Sequence, residues 1–141
     1  MDIIQRNKVE AFTTMDGSEI RELLHPRHSV VRNQSLAEAT LPVDGATCEH
    51  FHPLAEEIYY ILQGEARMRI EGEERLAVVG DAIAIPAGQR HKIWNTGAMP
   101  LVFLCCCAPA YSDEDTVLTE PQPGIEIPGR EAKADRPTGR L

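Results

Sequence analysis

Gly45-Ala-Thr-Cys-Glu-His50-Phe-His52-Pro-Leu-Ala-Glu-Glu57-Ile-Tyr-Tyr-Ile-Leu-Gln-Gly64 places two histidines two residues apart, just before a proline and a run rich in Ile and Tyr. On a helix that spacing swings the imidazoles to nearly opposite sides. On a strand it puts both on one face, with Cα atoms ~7 Å apart. Two imidazoles on one strand face can converge on a single metal ion. A turn at Pro53 and a returning strand can bring Glu57 in as a carboxylate ligand. A second stretch, Gly80-Asp-Ala-Ile-Ala-Ile-Pro86-Ala-Gly88-Gln-Arg-His91-Lys-Ile-Trp-Asn95, offers a third histidine straight after a Pro/Gly turn.

Around these stretches the chain is punctuated regularly. Short runs over 35–41, 47–52, 57–62, 66–70, 75–79, 82–85, 91–94 and 101–107 are each closed by Gly, Pro, Asn or Asp. Glu71-Gly-Glu-Glu74 reads as a hairpin turn. Such spacing predicts an all-β sandwich or barrel. Ser18–Leu24 is too short for its period to separate a helix turn from a strand, and Pro26 ends it either way. The expected organisation is an N-terminal arm over 1–33 that packs on the barrel or a partner, a barrel over 34–120, and an extended Pro-rich tail over 121–141.

The two histidine stretches resemble the paired signature motifs of the cupin superfamily. His50, His52, Glu57 and Gly64 match the first motif, with Gly45 one residue closer to His50 than usual. Gly80, Pro86, Gly88, His91 and Asn95 match the second at every spacing. The resemblance spans residues 34 to 107, with 15 residues between the motifs. It implies a single antiparallel jelly-roll barrel. It also implies a metal site built from His50, His52, Glu57 and His91. Glu57 is preferred to Glu56 because six residues separate it from Gly64 and because the following strand alternates. Three imidazoles and a carboxylate leave open positions on a six-coordinate ion for water, O2 or a substrate. The mixed donor set suits Mn, Fe, Ni, Co or Zn without choosing among them.

Tyr59 is expected on the inward face with Glu57 and Ile61, as a pocket wall or as core. Cys48, two residues before His50, is a second pocket candidate, although a buried Cys commonly serves as a small hydrophobe. Ile83 and Ile85 are expected to add apolar lining. Cys105, Cys106 and Cys107 read as small apolar residues in a buried strand, where low-pKa thiolates do not arise. His25 and His28 read as surface or interface residues. Arg67 and Arg69 read as outward. Arg90 and Lys92 read as solvated charges, or one of them as a partner for an anionic substrate.

Composition bounds the remaining possibilities. The chain has 141 residues, one domain's worth, and a formal charge of −8. That balance disfavours nucleic acid and anionic lipid as partners. Aromatic residues are scarce, at 5%, which points to a compact polar or carboxylate-bearing ligand. No apolar run reaches membrane-span length, the charged start lacks a secretion signal's apolar core, and the cysteines form no disulfide framework. The expectation is a cytoplasmic homodimer. Within the cupin resemblance the function is metal-dependent catalysis (an oxygenase, decarboxylase, isomerase or lyase) or, alternatively, non-catalytic binding of a small molecule or sugar.

Overall fold

The computed structural model describes residues 1–121. Beyond Pro121 the expected tail lies outside the described residues. After a short 3-10 turn at Arg6–Lys8 the chain forms strands only: β1 (Phe12–Thr13), β2 (Glu19–Leu24), β3 (Ser35–Leu41), β4 (His50–Phe51), β5 (Glu56–Gln63), β6 (Glu65–Ile70), β7 (Glu73–Val78), β8 (Ala82–Ile85), β9 (His91–Asn95), β10 (Leu101–Ala108) and β11 (Val117–Leu118). Among the described residues no helix is long and apolar enough to cross a membrane.

The strands form two antiparallel sheets, in the order β1-β2-β3-β10-β5-β8 and β11-β4-β9-β6-β7. Together they make a jelly-roll barrel. Strict alternation drives the arrangement. In β5, Glu57, Tyr59 and Ile61 are buried while Glu56, Ile58, Tyr60 and Leu62 are exposed, as the two-residue side-chain period requires. Leu101, Phe103, Cys105 and Cys107 do the same in β10. The core closes between the sheets around Leu41, Tyr59, Ile61, Ile93, Leu101 and Phe103. Burial of each large apolar side chain contributes about 1.5–3 kcal/mol.

Two stretches differ from expectation or resolve it. Within Ser18–Leu24 the residues Glu19–Leu24 form a strand, β2, whose Ile20 faces the core while its backbone pairs with β3. The expected strand over Thr47–His52 is regular only at His50–Phe51. Upstream of it, the Cys48 amide donates to the Asp16 carbonyl in the β1–β2 turn, so it is not part of a ladder. The turn between β5 and β6 needs Gly64. Its φ is +91°, and an added Cβ would stand 3.2 Å from the Leu101 Cα and the Pro100 carbonyl. Asn95 ties this end of the barrel together. Its Nδ2 donates to the Pro42 and Met99 carbonyls, and its Oδ1 accepts from the Gly97 amide.

Candidate metal centre

Register places the site. His50 on β4 lies directly opposite His91 on β9 in one sheet. Glu57 on β5 lies opposite Cys107 on β10 in the other. His52 follows β4, and its ring meets the other two from the side. All four side chains are buried, and one ligand atom from each lies within 4.8 Å of the others. Ring centroids are 4.3 Å apart for His50–His91 and 5.1 Å for His50–His52. Glu56 points outward and is exposed.

Each imidazole is held by its far nitrogen. His50 Nδ1–H donates to the Cys48 carbonyl at 2.8 Å, His52 to the Asp115 carbonyl at 3.0 Å, and His91 to the Gln89 carbonyl at 3.0 Å. A carbonyl only accepts, so Nδ1 carries a proton and each ring turns its Nε2 to the centre, where that atom ligates a metal once it carries no proton. Glu57 Oε2 accepts from the Cys107 thiol at 3.1 Å. Its Oε1 stands 3.3 Å from both His52 Nε2 and His91 Nε2. Yet among the described residues Glu57 Oε1 and His91 Nε2 are buried and make no hydrogen bond. Buried polar atoms are ordinarily satisfied. Lone pairs converging on one point, in a His/His/Glu/His set, fit a divalent cation of the Mn-to-Zn series, and the cluster could hold one.

The electrostatics agree with that fit. Burial opposes charge on Glu57, but the flanking His52 and His91 outweigh it and hold the carboxyl far below its usual range. Burial, then the neighbouring His91, pushes His50 down to about 4, so it is neutral at neutral pH, as a ligand must be. Burial also drives the Cys107 thiol well up, with Glu57 adding to the effect. Cys107 is therefore a hydrogen-bond donor and not a thiolate.

A cavity opens from this cluster between β2, β5 and β10. Tyr59 lines it, edge-on to His91 and packed on Phe103. Cys48 does not. It is buried with its Sγ 4.0 Å from the Pro121 carbonyl, because the chain is not in regular strand pairing there and the parity with His50 is lost. Ile83 and Ile85 also stay out of the lining. They pack in or against the core on the β8 side of β5, away from the β2 wall. Cys105 and Cys107, read as plain core, line the cavity, and Cys107 touches a cluster residue. His25 is buried: its Nδ1 accepts from the Arg27 amide and its Nε2 donates to the Tyr111 carbonyl. His28 is on the surface beside Glu22. Lys92 is buried against Glu120 at 2.5 Å, and Arg90 pairs with Glu71, so neither serves the cavity. Arg67 and Arg69 flank Trp94, their guanidinium carbons 4.3 and 5.0 Å from its ring centre.

Two residues of the site escaped the sequence reading. Asp115, beyond β10, presents its carbonyl to His52 and accepts from the Leu54 and Ala55 amides through its carboxylate. Asp16 lies in the β1–β2 turn, where Gly17 at φ +91° reverses the chain. Its Oδ1 accepts from Thr14 Oγ1, the Ser18 amide and Ser18 Oγ at 2.6–2.9 Å. Its Oδ2 faces His50 Nε2 at 3.7 Å. The Thr-x-Asp-Gly-Ser pattern around it is a turn signal and carries no mark of a pocket.

A small two-sheet barrel that encloses a buried His/His/Glu/His cluster, three of whose members line a cavity, defines a class of protein. The chain belongs to the cupin family: the family's Cupin domain matches residues 37–107. It is 48% identical to an uncharacterised protein of Methanocaldococcus jannaschii over 114 residues, 81% of this chain and 91% of the relative. It is 30% identical to the tetracenomycin polyketide synthase protein TcmJ of Streptomyces glaucescens, over 76% of this chain and 73% of TcmJ. Among solved structures it resembles a predicted oxalate decarboxylase from Thermotoga maritima, with a TM-score of 0.68 and 27% identity, covering 77% of this chain and 99% of that one.

Proposed function

We propose that the protein is a metal-dependent enzyme that holds one divalent ion on His50, His52, Glu57 and His91 and transforms a small polar organic molecule. The observation that carries the proposal is the pair of buried, unbonded ligand atoms, Glu57 Oε1 and His91 Nε2, in a cluster whose His50, His52 and Glu57 line a cavity. Four protein ligands on an ion that accepts six leave adjacent positions toward the cavity, whereas a structural metal is normally closed off by protein. The ion would polarise a bound carbonyl, enolate or hydroxyl oxygen. The chain's own part is to orient the imidazoles through their Nδ1–H bonds, to hold Glu57 ionised, and to keep bulk water away with Tyr59 and Phe103. The resemblance to a predicted oxalate decarboxylase supports an enzymatic reading of the barrel and leaves the substrate open. The resemblance to TcmJ, a polyketide synthase protein, supports an organic molecule as the substrate.

The test loads metal-free protein with Mn, Fe, Ni, Co or Zn in turn. Each form is screened against keto acids, hydroxy ketones, thiols and sugars, following oxygen uptake and product mass. Turnover in at least one metal form and none in the metal-free protein is the expected result. Tight binding without turnover in any form makes the protein a passive binder. Absence of stoichiometric metal overturns the assignment altogether.

A further inference from the structure

The charges around the cavity select among small polar molecules, an inference that rests on the metal reading above. Besides Glu57 the lining carries two carboxylates, Asp16 and Glu22, and among the described residues it carries no lysine or arginine. Glu22 is paired with Arg27 at 3.3 Å and His28 at 3.1 Å. Asp16 has no cationic side chain of that kind. Three donors from Thr14 and Ser18 saturate its Oδ1. Its Oδ2 is left beside the metal cluster, 3.7 Å from His50 Nε2. A divalent ion there would be balanced by the Glu57 and Asp16 carboxylates, since imidazoles that ligate a metal are neutral and add no charge. An entering carboxylate would bring surplus negative charge and would stand against Asp16 where water screens it poorly.

The rest of the lining agrees. The chain has three Phe, three Tyr and one Trp, and Phe12, Tyr59, Phe103 and Tyr111 all face this cavity. The scarcity of aromatics in the whole chain therefore says nothing about the site, where they are concentrated. The cavity volume of about 40 Å³ restricts the ligand to a compact one.

We propose that the site takes a compact, uncharged molecule that offers a hydroxyl or enol proton to Asp16 Oδ2 and an oxygen to the ion, and that Asp16 is the specificity-determining residue that turns free carboxylates away. A carboxylate accepting from a hydroxyl makes a strong, short hydrogen bond. The same oxygen facing an anion has no donor to accept from, which is how a site rejects a near-isostere.

The experiment uses the full chain loaded with cobalt and two matched pairs of probes. Acetoin is compared with lactate, and hydroxyacetone with glycolate. Each pair shares the hydroxyl and differs in ketone against carboxylate. Binding is read by calorimetry and by the cobalt visible spectrum. The wild type is expected to bind each hydroxy ketone at least about tenfold more tightly than its carboxylate partner. Asp16→Asn keeps an Oδ1 acceptor for Thr14 and Ser18 and replaces Oδ2 by a donor, so it is expected to invert the order. Equal or tighter binding of lactate by the wild type overturns the proposal, whether or not the variant folds. A wild-type preference that survives unchanged in folded Asp16→Asn overturns the role given to Asp16. If cobalt fails to bind stoichiometrically, the metal assignment falls separately. The same pairs titrated into metal-free protein by ligand-observed NMR then decide this inference: a hydroxy-ketone preference upholds it, and no preference or no binding overturns it.

Discussion

Cys107 donates its thiol proton to one oxygen of Glu57 and thereby leaves the other oxygen facing His52 and His91. The two residues sit opposite each other on neighbouring strands, so the contact is fixed by register. Outer partners of this kind typically govern metal affinity by roughly 10–100-fold. Cys107→Ala should weaken metal binding within that range, and Cys107→Ser should restore most of it. A competition titration against a coloured chelator measures both. Identical affinity in Cys107→Ala would show that Glu57 is held without the thiol.

His91→Ala should lose more metal affinity than the roughly 10–100-fold expected of an outer partner, and still fold. The ladder bonds of β9 are made by backbone, and they survive the truncation. Elemental analysis after dialysis and a thermal melt check the two halves of this expectation. Stoichiometric metal in His91→Ala would remove the residue from the cluster.

His50 gives the metal-free protein a defined pH response. Its folded pKa of about 4 lies below the ordinary histidine value near 6.5. Between those values the unfolded chain takes up a proton that the folded chain does not. The contribution of His50 to stability is therefore complete above pH 6.5 and lost as pH falls toward 4. His52 is shifted upward: burial acts against its charge, but the adjacent Glu57 favours it, and its contribution has the opposite sign. Comparing wild type with His50→Gln isolates the first effect. The stability advantage of the wild type in urea unfolding should shrink between pH 7 and pH 4, and a constant difference would contradict the assignment.

The outer face of the six-stranded sheet leads to a prediction about assembly. Ile58, Tyr60 and Leu62 project from β5 and are 47%, 41% and 41% exposed. Register sets Ala84 and Cys106 beside Ile58, and Ala82 and Leu104 beside Tyr60, making a continuous apolar surface. Patches of this kind mark interaction sites, and two-fold pairing is the commonest arrangement of homo-oligomers. We expect a homodimer through this face. Sedimentation equilibrium should return twice the chain mass for the wild type and the chain mass for Tyr60→Lys. A monomeric wild type at micromolar concentration would refute it.

The four cluster residues were legible in the sequence through the resemblance to the paired cupin motifs. The extended chain at His50 to His52 keeps the two rings together although the regular strand stops at Phe51, and the second motif supplies His91. Asp16 was not legible. It stands in a turn after a two-residue strand, and only the pairing of β1 with β2 and β2 with β3 carries it over the cluster. Cys48 is buried as a small apolar residue, one of its two readings, and its place in the pocket wall fails for the converse reason: the period-two rule was applied where the chain bonds to a turn instead of a ladder. Lys92 could not be read as buried, since Glu120, its partner, is 28 residues away and arrives only after β11 has paired with β4.

The three Nδ1–H bonds have a consequence for how the protein meets the metal supply of a cell. Because each ring is moored to backbone carbonyls that belong to the fold, the cage exists before any ion enters. Its aperture is then set by the barrel, and an arriving ion does not rearrange it. First-row divalent ions differ little in radius, so even a fixed aperture would sort them weakly, and binding would follow their intrinsic order of affinity, in which copper and zinc outrank manganese and iron. With the metal reading proposed above, mismetallation would be the standing hazard for this protein. An ion carried through purification would report the metal content of the expression host and growth medium at least as much as the preference of the site.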